Sequence, residues 1–190
     1  MRSVNHLRSK GYSEREMIAA NVAVETRSGR AMDRFHARVM FPIIDLRGNV
    51  VAFGGRILTN EKPKYINTSD TPVYHKSSGL FAMNFAKNAL ENDRIILAEG
   101  YMDVISLHKA GIENAIASLG TALTAEQARI IARYAKEVVI CYDSDEAGQK
   151  AAQRAIPILC AAQGLLWCAS LVAVPGKQRP GRVHQRIMRR

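Results

Sequence analysis

Hydrophobic and polar residues alternate in short runs along the first part of the chain, and these runs predict a small α+β unit. Ser13, with Glu16 three residues later, forms a capping box that predicts a helix over residues 13–21. After a polar loop, VMFPIID and NVVAFGGRI predict two strands of a hairpin turning at residues 46–49. Residues 59–78, rich in Asn, Pro, Lys, Ser and Thr, predict a long functional loop at a subdomain joint.

The second part of the chain alternates predicted helices with predicted strands. The runs IILA and VVICY are continuously apolar, which indicates strands of a parallel sheet covered on both faces. The predicted order is helix Asn84–Asn92, strand Arg94–Ala98, helix Tyr101–Ala110, strand Ala115–Ala117, helix Thr124–Tyr134, strand Glu137–Tyr142 and helix Glu146–Leu159. The expected fold class is α/β, a helix-flanked parallel sheet preceded by a small α+β subdomain. We expect subdomains at residues 1–80 and 81–160 and an atypical tail at 161–190.

Charge and cysteine usage narrow the class of partner and the compartment. A formal net charge of +10 favours a polyanionic partner, with nucleic acid ahead of membrane, although the acid-free tail supplies part of that charge. Three scattered cysteines without a C-x-x-C pair argue against a disulfide framework and against zinc. No run has the character of a signal peptide or the roughly 20 apolar residues of a membrane span. We therefore expect a cytoplasmic protein.

Acidic residues follow the two longest apolar strands. Glu99 comes directly after IILA, and Asp143 and Asp145 follow VVICY. Ligands of parallel sheets gather at the carboxyl ends of the strands, and residues i and i+2 of an extended segment point the same way. Convergent carboxylates repel one another unless a cation such as Mg²⁺ neutralises them. The pattern predicts a divalent metal site, and the alternative for Asp145 is an N-cap of the next helix.

Two more residues fall beside this predicted edge. Asp103 follows Glu99 by four residues, where it either supports the metal ligands or adds a favourable charge to the start of a helix. Gly148 permits a close approach of the backbone to a phosphate, or of a helix to the sheet.

Basic residues recur upstream beside rigid or polar groups. The set is Arg38, Arg56, Lys64 with its neighbour Tyr65, and Lys76. Such residues can hold a triphosphate or the backbone of a primer or template. The alternative for each member is an ordinary solvated charge.

At these residues the chain resembles the RNA polymerase domain of DnaG-type bacterial DNA primases, over roughly its first 160 positions. The motifs are DRFHARVMFPI, FGGR, PKYIN, YHK, EGYMDV, ASLGT and YDSDEAG. The last three are typical of the Toprim fold, which topoisomerases and some nucleases share. The upstream motifs are the ones that indicate a primase.

The resemblance implies a DNA-directed RNA polymerase, a nucleotidyltransferase that joins ribonucleotides into a short RNA primer on single-stranded DNA. It implies that Glu99 is the family's acid/base or metal-site glutamate and that Asp143 and Asp145 bind Mg²⁺ or Mn²⁺. The basic residues and Tyr65 would line the cleft for nucleotides and nucleic acid. The implied partners are the template, ribonucleoside triphosphates and the RNA primer, in a bacterial cytoplasm at the nucleoid.

The chain also departs from that family. Full-length members carry a zinc-binding and a helicase-binding domain, so we expect a fragment without zinc or a site for the replicative helicase, and with uncertain activity. After Gly164 the family continues to a K-D-P-D-E-F-I motif, where this chain reads PGKQRPGRVHQRIMRR. Codon degeneracy permits that motif in a shifted frame, from the Lys177 codon to the Arg186 codon. We therefore predict a frame-shifted, poorly ordered tail, in which Trp167 and Cys168 were not selected for this fold. The coding DNA tests this.

Two other classes of function remain open. One is another Toprim enzyme of the topoisomerase or nuclease type, which would need a nucleophilic tyrosine domain or a nuclease partner domain. The other is a non-catalytic module that binds single-stranded DNA through the basic residues without metal. Titration with Mg²⁺ or Mn²⁺ separates the second class from a polymerase.

Overall fold

The computed structural model describes residues 3–120, 122–163 and 168–171, which belong to two compact units. The first unit comprises the residues up to Ile43 together with Val50–Lys76, and the second comprises Ile44–Asn49 and the residues from Ser77 onward. The helices are α1 Ser3–Ser9, α2 Glu14–Ala19, α3 Met83–Ala86, α4 Tyr101–Lys109, α5 Ala125–Ala132 and α6 Glu146–Gln163. The strands are β1 Ala23–Glu25, β2 Ala31–Asp33, β3 Arg38–Ile44, β4 Val50–Ile57, β5 Tyr65–Asn67, β6 Arg94–Ala98, β7 Ala115–Ala117, β8 Glu137–Cys141 and β9 Cys168–Leu171. The change of unit falls a few residues before the boundary expected at residue 80.

The first unit begins with two short helices that are capped in different ways. At α2 the predicted capping box is confirmed, since the Glu16 N–H donates to Ser13 Oγ (3.3 Å) and the Ser13 N–H donates to Glu16 Oε2 (2.7 Å). The helix α1 was not predicted. The N–H groups of Ser3 and Val4 donate to the carboxylate of Asp33, at 3.0 and 2.7 Å. Because this acceptor lies about 30 residues away, no local signal marks the helix.

Two antiparallel sheets complete the first unit. Strands β1 and β2 pair with each other, and β3, β4 and β5 form a sheet in that order, which confirms the predicted hairpin. The predicted long loop after Thr59 is interrupted by β5, whose Tyr65 lies opposite Arg56 of β4. The prediction missed β5 because this strand is only three residues long and has no buried apolar alternation.

The second unit is built on a four-stranded parallel sheet in the order β7-β6-β8-β9. Successive residues of β6 point to opposite faces. Ile95 and Leu97 join the core cluster that includes residues of α3, α5 and α6, while Ile96 and Ala98 join the cluster that includes residues of α4. Helices therefore cover both faces, and the predicted α/β class is confirmed.

Three elements differ most from the prediction. The helix expected at Asn84–Asn92 ends at Ala86, and both Asn92 and Asp93 adopt left-handed backbone conformations that no α-helix contains. Helix α6 continues past Leu159 to Gln163. Strand β9 begins at Cys168 and pairs with β8, so these four residues belong to the sheet even though they were assigned to the tail. Residues 164–167 and 172–190 of the predicted tail lie outside the described residues.

Candidate functional site

Strands β6 and β8 bring two acidic residues to one edge of the parallel sheet. The strands are hydrogen-bonded neighbours in which Ala98 lies opposite Cys141, so the residues that follow leave the sheet at the same end. The backbone N–H of Asp143 donates to Glu99 Oε2 at 3.2 Å. The structure thus brings Glu99 and the Asp143 segment together at the carboxyl edge of the sheet.

Negative charge accumulates at this edge. The pKa of Glu99 is raised first by partial burial and further by the charges of Asp143 and Asp145, while the hydrogen bond from the Asp143 N–H acts in the opposite direction. Burial raises the pKa of Tyr142 to about 12, with a smaller contribution from the charge of Glu99. Asp143 and Asp145 therefore lie close enough to Glu99 for their charges to act on its carboxyl group.

Asp145 serves as the N-cap of α6. The Gly148 N–H donates to Asp145 Oδ1 at 2.8 Å, and the Gln149 N–H donates to the Asp145 carbonyl at 3.0 Å. The alternative that the sequence left open for Asp145 is therefore what the structure shows. The cap uses Oδ1, and the carboxylate still contributes to the electrostatics of Glu99.

Gly148 allows α6 to begin directly against the segment that follows β8. A Cβ atom on Gly148 would lie 2.2 Å from the carbonyl oxygen of Asp143 and 2.9 Å from its carbonyl carbon. Both distances are shorter than any normal carbon contact, so a side chain at this position would displace the Asp143 backbone. Of the two roles expected for Gly148, the structure shows the close approach of helix to strand.

Asp103 lies in the first turn of α4, where a carboxylate is favoured by the helix dipole. Burial, with smaller contributions from the charges of Asp103 and Asp143, raises the pKa of the Cys141 thiol to about 11. Asp103 and Asp143 both act on this one thiol, so Asp103 contributes to the same acidic edge.

The residues at this edge fit an ion such as Mg²⁺ that keeps water or substrate among its ligands, better than a metal site that is closed by protein ligands alone. Within the described ranges, no three His, Cys, Asp or Glu side chains converge as a ready-made metal site. Mg²⁺ commonly binds through one or two carboxylates and completes its shell with water and substrate phosphates. Oxygen donors on Glu99, Asp143 and Asp145 match that chemistry.

Four of the five residues predicted to contact nucleotide or nucleic acid lie on or next to the three-stranded sheet of the first unit: Arg38, Arg56, Lys64 and Tyr65. Arg56 and Tyr65 are opposite one another on β4 and β5, and the Arg56 guanidinium carbon lies 5.9 Å from the Tyr65 ring centroid. The Tyr65 side chain is 39% exposed, and Lys64 beside it is also exposed. Lys76 belongs to a separate turn, where its N–H donates to Asp70 Oδ1 at 2.9 Å.

Arg38, the remaining member, directs its guanidinium to the backbone of its own unit. Nη1 donates to the carbonyls of Gly55 (3.4 Å) and Lys64 (3.2 Å), and Nη2 donates to that of Pro63 (2.8 Å). Arg34, which the sequence analysis did not select, donates through Nη2 to the Asn67 carbonyl at 3.1 Å. The only available signal was the pair of arginines four positions apart in D-R-F-H-A-R.

Two family models match the chain. Residues 1–87 match the N-terminal domain of the DNA primase catalytic core, and residues 96–180 match a Toprim-like domain. The DNA primase of Clostridium acetobutylicum is 49% identical over 156 residues, which is 82% of this chain and 26% of that protein.

Solved structures agree with these matches. A DNA primase domain from Pseudomonas aeruginosa is 39% identical with a TM-score of 0.84, covering 90% of this chain and 55% of that chain. A DnaG primase catalytic domain bound to ssDNA is 37% identical with a TM-score of 0.84, covering 96% of this chain and 60% of that one. The chain spans about a quarter of the length of the curated relatives it matches. In the part of the chain that the structure describes, no helix is both long and apolar enough to cross a bilayer. The motifs, the fold and these matches agree that the chain belongs to the DnaG-type DNA primase family.

Proposed function

We propose that this chain supplies part of the active region of a primase, which joins ribonucleotides into a short RNA primer on single-stranded DNA. The observation that carries the proposal is the meeting of Glu99 and Asp143 at the carboxyl edge of the parallel sheet. Family membership supports it, and one related catalytic domain is described as bound to ssDNA. The substrates would be ribonucleoside triphosphates, and the site of action the nucleoid of a bacterial cytoplasm.

In this proposal Glu99, Asp143 and Asp145 hold Mg²⁺ or Mn²⁺. When bound, the cation would offset the charge that develops as a 3′-hydroxyl attacks an α-phosphate. The chain's own residues prepare the carboxylates for this role. The Asp143 N–H orients Glu99, and the Gly148 N–H orients Asp145, so neither carboxylate must be ordered from a freely rotating state.

The basic residues of the first unit would contact the nucleic acid. The Tyr65 ring, with Arg56 over it, offers a flat exposed surface on which a base can stack, and Lys64 offers a charge for a phosphate. Neither contact depends on base identity, so the surface suits a template of any sequence.

Mn²⁺ binding to the 190-residue chain, measured by calorimetry, tests the acidic edge. Glu99→Gln and Asp143→Asn should each weaken Mn²⁺ binding by about tenfold, which equals about 1.4 kcal/mol. Asp145→Asn separates the two roles of Asp145, because asparagine remains a good N-cap but carries no charge. It should weaken Mn²⁺ binding while leaving α6 intact.

Glu113→Gln is the matched control for these substitutions. Glu113 is exposed and precedes β7, at the opposite end of the sheet from Glu99, so its loss should leave Mn²⁺ binding unchanged. Equal losses for Glu113→Gln and Glu99→Gln would mean that the ion responds to total charge rather than to this edge, and would contradict the proposal.

A non-catalytic module that binds single-stranded DNA is the second candidate. It is favoured by the lack of a three-ligand metal cluster among the residues described. In that case DNA affinity would be the same with and without Mn²⁺, and Glu99→Gln would change neither DNA binding nor metal binding.

Primer synthesis on single-stranded DNA tests the activity itself. The chain should be compared with a version in which the segment after Lys177 is replaced by the D-P-D motif that the predicted frame shift would have removed. We expect more primer from the restored version, because two added acids strengthen metal binding. If both versions bind Mn²⁺ and DNA and neither makes primers, the proposal is wrong for this chain.

A further inference from the structure

Arg38 makes contacts that differ from those expected of a phosphate-binding arginine. Its guanidinium donates to three backbone carbonyls, those of Gly55 on β4 and of Pro63 and Lys64 in the segment that leads into β5. A planar guanidinium presents five N–H donors in a fixed fork, so one side chain can bridge several acceptors that a lysine cannot. The guanidinium of Arg38 thus uses its hydrogen bonds to hold the segment that leads into β5 against β4.

The packing around Gly55 agrees with this role. A Cβ atom on Gly55 would lie 3.1 Å from Arg38 Cδ and 2.8 Å from Phe35 Cδ1, so the stem of Arg38 passes directly over β4. The Lys64 carbonyl also accepts the Ile57 N–H at 3.0 Å. Arg38 therefore reinforces the first backbone bond between β4 and the β5 segment.

The far end of β5 is held by separate groups. Thr68 Oγ1 accepts the Phe53 N–H at 2.9 Å, and the Thr68 N–H donates to the Phe53 carbonyl at 2.8 Å. Arg34 donates to the Asn67 carbonyl. A strand of three residues needs such support, because its own ladder is too short to hold it. Arg38 is the support at the end that carries Lys64 and Tyr65.

We propose that Arg38 is a positioning residue for nucleic-acid binding: it holds Lys64 and Tyr65 in place through the backbone and does not itself contact phosphate. The proposal deepens the proposed function and rests on it. It differs from the role that family resemblance assigns to Arg38, which is direct contact with nucleotide or nucleic acid.

Arg38→Lys and Arg38→Ala in the 190-residue chain distinguish the two roles. A lysine binds phosphate well but cannot span the three carbonyls, so for a positioning residue both variants should lose about the same single-stranded-DNA affinity, about tenfold. For a direct phosphate contact, Arg38→Lys should retain most of the affinity. Arg27→Lys, an exposed arginine in a turn of the same unit, is the control and should change nothing.

A double-mutant cycle makes the comparison sharper. If Arg38 acts through its neighbours, Arg38→Lys should have no further effect on DNA affinity when Lys64 and Tyr65 are already alanine. Arg38→Ala should likewise have no further effect there. A remaining loss of affinity for Arg38→Ala in that background, with the slope of log affinity against log salt reduced by about 1, would show a phosphate contact and overturn the proposal.

Hydrogen exchange without DNA keeps this test independent of the proposed function. In Arg38→Lys the amide of Ile57, which donates to Lys64, should lose protection, while the amide of Thr68 at the other end of β5 should retain it. Unchanged protection at Ile57 would overturn the proposal. If the unmodified chain fails to bind DNA while Ile57 responds as expected, the proposed function fails and the backbone role of Arg38 stands.

Discussion

The parallel sheet of the second unit and the three-stranded sheet of the first hold their strands in place by different means. In β6, residues Ile95 to Ala98 are almost completely buried between two layers of helices. In β5, no residue is buried, and the strand is held by hydrogen bonds from Thr68 and Arg38 to neighbouring backbone. The acidic residues therefore follow strands that are held by apolar packing, whereas the exposed basic and aromatic residues lie on a strand that is held by polar contacts. The stability of the parallel sheet should be sensitive to the removal of buried side-chain volume, and that of the three-stranded sheet to the removal of a hydrogen-bond donor or acceptor.

The largest effect is expected from a cavity in the parallel sheet. Leu97 is fully buried in the main core cluster, so Leu97→Ala should lower the free energy of unfolding by about 2–5 kcal/mol. Ile105→Ala on α4, which removes a more exposed side chain of similar size, should change it by less than about 0.5 kcal/mol. Urea unfolding measures both. Similar values for the two variants would contradict the role given to apolar burial here.

In the first unit, the loss of a buried hydrogen-bonding group should lower the free energy of unfolding. Thr68 is fully buried, and its hydroxyl both accepts the Phe53 N–H and donates to the Phe53 carbonyl. Thr68→Val keeps the volume but leaves these groups with weaker pairing, and should lower the free energy of unfolding by about 1–3 kcal/mol. Thr68→Ser keeps the hydroxyl and should cost clearly less. Equal costs would mean that packing, rather than hydrogen bonding, holds this strand.

The two capping boxes offer a matched pair across the units. Thr124 Oγ1 accepts the Gln127 N–H and also donates to the Ser77 carbonyl at 2.5 Å, whereas the Ser13 box is exposed. Replacing either residue by alanine should cost about 0.5–2 kcal/mol, with Thr124→Ala at the upper end and Ser13→Ala at the lower. Urea unfolding at neutral pH can rank them. A larger cost for Ser13→Ala would reverse the comparison.

The smallest expected effect is a difference in pH dependence between these boxes. The Ser13 N–H and hydroxyl lower the pKa of Glu16, so its ionised form stabilises the folded state above the ordinary value near 4.5. This contribution is lost as pH falls through the lowered pKa. The stability difference between the unmodified chain and Glu16→Gln should therefore shrink in acid. The corresponding difference for Thr124→Ala should change little, because Gln127 does not titrate.

Predictability from sequence depended on how locally each element is specified. The bounds of β6 and β7 were predicted correctly because buried parallel strands are written as continuous apolar runs. Strand β5 was missed because it is only three residues long and has no buried apolar alternation. Helix α1 was missed because the Asp33 carboxylate that accepts its first N–H groups is distant in sequence. The end of α3 was misplaced in the second unit: the helix ends at Ala86, and the left-handed conformations of Asn92 and Asp93 exclude only the far end of the predicted helix.

At the candidate site, residue types were predictable and contacts were not. The position of Glu99 and Asp143 directly after two buried strands could be read from the apolar runs, and their proximity follows from the pairing of those strands in the structure. The bond between the Asp143 N–H and Glu99 could not, because it depends on how the chain leaves β8. The same holds for Arg38, whose charge suggested a ligand contact, whereas its guanidinium donates to the backbone carbonyls of Lys64 and Pro63.

The absence of a side chain at Gly148 limits which sequence changes the segment from Asp143 to Gly148 can accept. The start of α6 packs directly against the carbonyl of Asp143. The number of residues between Asp143 and Gly148 is therefore fixed by this packing. An inserted or deleted residue between them would separate the cap from the helix it caps. The segment from Asp143 to Gly148 should therefore tolerate substitutions at its exposed positions but neither insertions nor deletions.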